Sequence, residues 1–212
     1  GMVKRSTFSY LYRMPTAQNR FFAFFTELPF ALAIVFINIV VFTITSLVAG
    51  TLEGPQWTAT LLRMGAQFNP LTLDKEWYRI FTHLFLHGSM LHLAINTYAL
   101  LYTGYALENK VGTKKFALVF FLSGMASGLA SLYWNLFSVS IGTSGAACGL
   151  MGFCLVYNIF FSGKSLKSMV ILLLHFSMFA TINVFAPEWV YADYAAMFGG
   201  VMAGIVIGFF SF

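Results

Sequence analysis

Charge is what this sequence most lacks. Only 9% of its 212 residues are Asp, Glu, Lys or Arg, against about 25% in ordinary soluble domains. That is too little to cover the surface of a water-soluble fold of this length, so lipid is the expected solvent. Cysteine is scarce as well, with Cys148 and Cys154 alone. Six residues apart on one predicted helix, they point to different faces, which excludes a disulfide between them. Histidine is limited to four residues, none of them after His175. No internal repeat and no disordered linker break the chain, so one domain is expected.

Apolar residues fill the space that charge leaves. The chain is 59% hydrophobic, with 25 phenylalanines and a mean hydropathy of +0.79. A spanning helix needs about 20 mostly apolar residues, and six such segments are legible. They are Leu28–Val48, Met90–Leu107, Phe116–Trp134, Ser144–Phe161, Leu166–Phe185 and Tyr194–Phe210. The expected fold class is therefore an all-α polytopic bundle of six transmembrane helices, residues 28–212, behind a basic segment, residues 1–27.

The net charge of +5 would fit a nucleic-acid partner, but its distribution argues for membrane topology instead. With six spans, Lys4, Arg5, Arg13, Arg20, Lys110, Lys114, Lys115, Lys164 and Lys167 share one side, nine of the twelve basic residues. Arg63, Lys75 and Arg79 lie on the other, with Glu53, Asp74, Glu76, Glu188 and Asp193. An excess of Lys and Arg marks the cytoplasmic side, so both termini are expected there, in a multi-pass protein of a bacterial inner membrane. The long connection over residues 49–89 then lies outside. It holds an amphipathic piece, Trp57–Met64, expected on or in the outer leaflet, and a turn at Asn69-Pro70.

Polar residues within spans are costly and point to function. His83, His87 and His92 open the second span, and Asn96 follows. Residues four apart share a helix face, which pairs His92 with Asn96. Ser144 stands at the N-terminus of the fourth span in Gly142-Thr143-Ser144-Gly145. Unpaired N–H groups and the positive helix end meet there, so a hydroxyl at that place could be a nucleophile beside oxyanion donors, or simply an N-cap. Gly145, Gly149 and Gly152, and Ala196, Gly200, Gly204 and Gly208, are small-residue faces suited to close helix contact. Zinc is poorly served: no Glu adjoins the histidines in the zincin pattern, and Asn96 is a weak ligand. Neither a metal nor another cofactor is expected.

The whole constellation resembles the rhomboid family of intramembrane serine proteases. The residues that carry the resemblance are Glu76-Trp77-Tyr78-Arg79-Ile80-Phe81-Thr82-His83, then His87, His92 and Asn96, then Gly104, Glu108 and Gly112, then Gly142-Thr143-Ser144-Gly145, and finally Gly200 and Gly204 after Asp193. The resemblance implies a six-helix bundle that cleaves transmembrane substrates with a Ser–His dyad. Ser144 would be the nucleophile, His92 and Asn96 would donate to the oxyanion, and Arg79, His83, His87, Gly142, Gly145, Gly200 and Gly204 would support them. The family's general base lies three residues before the first Gly of the sixth span's G-x-x-x-G, and that position is Met197. A thioether cannot take the serine proton. Where the family carries an aromatic residue four after the serine, this chain has Cys148. The loop motif Trp-Arg reads Tyr78-Arg79.

Three readings follow. A pseudoprotease would bind transmembrane client helices without cutting. An active protease would need an unusual base: His175 lies about 15 Å deeper than Ser144 at 1.5 Å per residue, and His92 would leave the oxyanion hole to serve. A transporter would show inverted repeats, which are lacking. The expected partners are transmembrane helices and the lipid bilayer, not nucleic acid.

Overall fold

Proline at the first position starts α1 (Pro29–Ala49), where its missing N–H costs nothing. Gly50, at φ +65°, ends it in a left-handed cap whose N–H donates to the Ser46 carbonyl. The structure is a computed structural model describing residues 27–52, 55–161, 166–185 and 193–211. The basic segment expected over 1–27 lies outside these residues apart from Glu27, as do Lys164, Glu53 and Glu188 from the charge pattern. The other long helices are α2 (Pro55–Arg63), α3 (Met90–Thr103), α4 (Thr113–Trp134), α5 (Ser144–Phe160), α6 (Leu166–Phe185) and α7 (Tyr194–Phe210). Three of them, α1, α4 and α6, are long and apolar enough to cross a membrane alone. The pair Arg79–Phe85 and Met90–Val111, bent by 94°, would count as a fourth crossing. At 17 residues each, α5 and α7 are apolar but fall short of that length.

At the centre of the molecule α4, α5 and α7 all pack against one another. A Cβ built on Gly200 would overlap the Gly145 carbonyl, and one on Gly204 would overlap that of Gly149. One on Gly152 would lie 2.6 Å from the Val201 carbonyl oxygen. The two small-residue faces thus meet backbone to backbone, which maximises dispersion contact where lipid offers no hydrophobic drive. The third helix, α4, contributes a face the sequence reading missed. Ser123, Gly124, Ser127, Gly128 and Ser131 are all buried, with Ser123 and Ser127 against Gly149 and Gly145. Their four-residue spacing was legible.

A second core lies at the other end of α1. Leu28, Leu107, Phe116, Phe120 and Phe153 are fully buried there, and Phe30 meets Phe116, Phe120 and Phe121 edge-on at 6.0, 5.5 and 5.7 Å. Buried Glu108 holds this junction by accepting from the N–H groups of Phe30 (2.8 Å) and Ala31 (3.1 Å), the free donors of the α1 start. Glu108 reaches them from a π-turn, Gly104–Glu108, that continues α3. Gly104 permits the approach, since a Cβ there would sit 2.7 Å from that of Ala31. Glu108→Ala should cost about 2–3 kcal/mol, the worth of charge-assisted bonds lost together with a helix cap. Thermal unfolding in detergent checks this, with Glu108→Gln falling in between.

The connection between α1 and α3 has three features of note. The apolar side of α2 packs on protein: Trp57 and Leu61 are buried, and the Trp57 ring lies 5.3 Å from that of Phe42 in α1. Asn69-Pro70 starts a one-turn helix, Asn69–Leu73, instead of a simple turn. Two residues just before it, Gln67–Phe68, pair antiparallel with Val139–Ser140. So short a pairing has no period to read in sequence.

Candidate functional site

The site grows from the loop that precedes α5. Gln67–Phe68 holds Val139–Ser140 at its start, and the Gly142 N–H donates to the His83 carbonyl at 2.9 Å. Gly142 takes φ +100°, a value that side chains with a Cβ rarely adopt. It also lies against the histidine helix: a Cβ there would be 2.7 Å from His92 Nε2 and 3.4 Å from Asn96 Nδ2. The Gly142 loop and the polar face of α3 therefore meet beside the start of α5.

Ser144 is the first residue of α5, and the cap position belongs to Thr143. The N-cap reading of Ser144 is thereby corrected. The Ala147 N–H makes the first bond of the helix, to the Thr143 carbonyl at 2.8 Å, so the preceding N–H groups lie ahead of the ladder. Thr143 Oγ1 is 3.4 Å from His87 Nε2, a contact the sequence did not announce.

The histidines separate into different roles. Gly88-Ser89 breaks the chain before α3, with Ser89 accepting from the His92 N–H as a regular N-cap. His83 and His87 thus precede the break and do not share the face of His92, contrary to an uninterrupted second span. His83 Nδ1 donates to the Arg79 carbonyl at 2.9 Å. His87 packs edge-on to His92, with 5.3 Å between ring centres. His92 Nδ1 accepts the Gly88 N–H at 3.3 Å, which leaves the proton on Nε2. That Nε2–H is buried and has no partner among the described residues. Asn96 donates its Nδ2 to the His92 carbonyl at 3.0 Å, and its Oδ1 is likewise buried and unpartnered. Buried polar groups are almost always paired, and these two orphans lie four residues apart on α3.

Met197 lies on α7, 8% exposed, in an apolar cluster with Ala147, Cys148 and Met151 of α5, Ile95 and Ala99 of α3, and Phe179 of α6. Ser144, Cys148 and Met151 recur at helical spacing on one side of α5. Gly145 and Gly200, in backbone contact, set the distance between the two helices. The nearest carboxylate to Met197 along α7, Asp193, already accepts three bonds: it caps α7 through the Ala196 N–H and accepts from Ser131 Oγ of α4 and from Nδ2 of Asn135, the α4 C-cap. His175 is far from the site by its contacts. It stacks on Tyr102 at 3.9 Å, and its Nδ1 donates to the Ile171 carbonyl.

Arg79 supports the loop from outside the site. Its Nη1 donates to the carbonyls of Leu62 (2.7 Å) and Ala66 (2.6 Å), and its Nε to Glu76 at 2.6 Å. The Arg79 bond, followed by that of the Tyr78 hydroxyl, holds the Glu76 carboxyl below its ordinary value. The sign is that of a depressed acid: the contribution is complete above the unfolded value and is lost as pH falls through the folded one. Amide exchange over residues 62–79, corrected for its intrinsic pH dependence, should accelerate only as pH falls below the ordinary glutamate range. Among the described residues no cluster of His, Cys, Asp or Glu has metal-binding geometry.

Comparison with known proteins places these features in a family. Residues 74–212 match the model of the Rhomboid domain. Rhomboid-like protease 3 of Toxoplasma gondii is 37% identical over 93 residues, covering 44% of this chain and 35% of that one. Rhomboid protease GluP of Bacillus subtilis (strain 168) is 38% identical over 95 residues, 45% of this chain and 18% of its own. RHOMBOID-like protein 6, mitochondrial, of Arabidopsis thaliana is 29% identical over 157 residues, 74% of this chain and 50% of its own. The chain thus spans half or less of the length of these relatives. The domain match covers the polar face of α3, the Ser144 loop and the glycine contact of α5 with α7, and the chain is an integral membrane protein that belongs to the rhomboid family.

Proposed function

We propose that this chain is a six-crossing rhomboid whose proteolytic chemistry is lost or severely weakened, and that it binds transmembrane helices of client proteins without cutting them. The observation that carries the reading is Met197. It takes the place of the family's base, a thioether where an imidazole is needed, and the apolar side chains it packs with are Cys148, Met151 and aliphatic or aromatic neighbours. Ser144 is the nucleophile position, and His92 and Asn96 are the oxyanion donors. The unpartnered Nε2–H of His92 supports this assignment, because a ring whose Nδ1 already accepts a bond presents a donor, not a base, at Nε2. Asp193 already accepts three bonds and His175 is stacked on Tyr102, which speaks against either replacing the missing imidazole. Lys110, Lys114, Lys115 and Lys167 at one end of the bundle favour a cytoplasmic placement for that end.

The second reading, an active protease with an unusual base, draws on the retained Ser144, His92 and Asn96. One experiment separates the two. The chain is reconstituted in liposomes with a helical substrate carrying a fluorescent pair, so that association and cleavage are both followed. Association without product is the expected result, unchanged in Ser144→Ala. Product that disappears in Ser144→Ala would overturn it.

A further inference from the structure

At the end of the bundle remote from Ser144, a cavity of about 460 Å³ opens between the ends of α3 and α5 and the start of α6. That volume is within the roughly 300–1,000 Å³ range of small-molecule sites. Its floor is Cys154, Asn158 and Leu172, all buried. Its rim carries two charges of opposite sign, Glu27 and Lys110. Among the described residues these two make no ion pair with each other. Tyr105, 61% exposed, lies at the same rim, where a tyrosine suits the boundary between lipid and water.

We propose that this cavity binds the headgroup of a bilayer phospholipid that is zwitterionic and bears a primary ammonium, phosphoethanolamine. Lys110 meets the phosphate and Glu27 the ammonium. A purely anionic headgroup would set its phosphate near the Glu27 carboxylate with no cation for that carboxylate to hold. A choline headgroup cannot donate to a carboxylate, whereas an ammonium offers three N–H donors. Choline is instead favoured by a cage of open aromatic faces, and one face of Tyr102 is covered by the His175 ring at 3.9 Å. The position between helix ends, with Ala106 and Ile171 as apolar wall, is where a headgroup lies while its chains stay in the bilayer.

The test is native mass spectrometry of the full chain, delipidated and then offered equal amounts of phosphatidylethanolamine, phosphatidylcholine and phosphatidylglycerol. Phosphatidylethanolamine should be retained about five- to tenfold over the other two, the scale of one or two charge-assisted bonds at a wet interface. Glu27→Gln should bring it down to the level of phosphatidylcholine, and Lys110→Ala should lower both. Lys75→Ala, at a distant exposed turn, should change neither. Both rim residues are accessible, and unchanged melting of the lipid-free variants shows that the fold is kept. Equal retention of the three lipids, a preference for phosphatidylglycerol, or insensitivity to Glu27→Gln would overturn the proposal. Displacement of the lipid by soluble phosphoethanolamine at equal concentration would overturn the lipid as the source.

Discussion

Met197→His should turn cleavage of a transmembrane substrate on, by at least about 10³-fold and up to the roughly 10⁶ that loss of the histidine costs a serine hydrolase. On the proposed roles, every other component stands ready. The loop at Gly142 holds the start of α5 beside His92 and Asn96, and the N–H groups ahead of Ala147 are not yet in the helical ladder. Histidine is close to methionine in bulk, so the substitution neither opens a cavity nor overpacks the cluster of Ile95, Cys148, Met151 and Phe179. What it adds is a buried polar ring, which costs about 1–3 kcal/mol unless it finds a partner. The Ser144 hydroxyl would be that partner, and Met197→His with Ser144→Ala should therefore melt below Met197→His alone. The rate is read as product formed per enzyme in liposomes. If Met197→His gains nothing while its fold is intact, the defect lies elsewhere. Cys148 is then the next position to change, to an aromatic residue, since it packs in the same cluster.

Gly204→Val should be the most damaging single substitution in the membrane core, at about 3 kcal/mol or more. Even the first carbon of a side chain there would overlap the Gly149 carbonyl. Backbone cannot yield as a flexible side chain can, so α7 must move away from α5 along its length. Gly112→Ala is the comparison. Unlike Gly204, Gly112 has a positive φ, at +83°, but a Cβ there meets nothing within 4 Å. The substitution should cost only the local backbone strain of about 1–3 kcal/mol. Denaturant titration in mixed micelles separates the two. Equal losses for both variants would mean that helix contact contributes little here. Because Gly145 follows Ser144 directly and touches Gly200, displacement of α7 should also lower reaction of Ser144 with a fluorophosphonate in the Met197→His background.

Helix positions were legible in sequence because the signals are local. Apolar length alone gave the bounds of α6 and α7 as found, and those of α1 and α5 to within one residue. The polar constellation was legible for a different reason. A histidine, an asparagine or a serine within an apolar run is costly enough to stand out. The paired small-residue faces of α5 and α7 could be read from their spacing, whereas the serine and glycine face of α4 was overlooked, although its period is the same.

The sequence by itself determined that this chain lives in lipid, where its long helices run, and that the one residue type able to act as the family's base is absent from α7. These follow from composition and from periods of a few residues. Only the tertiary structure decided that Ser144 follows the cap instead of forming it, that His83 and His87 stand before a 94° bend, that His92 presents a donor toward Gly142, and that Asp193 is already spent on Ser131 and Asn135. The Asp193 bonds and the loop contacts of Gln67 with Ser140 and Gly142 with His83 join partners far apart in the chain, while the His92 proton is set by Gly88 only four residues away. A two-residue pairing or a single hydrogen bond leaves no period in the sequence to find.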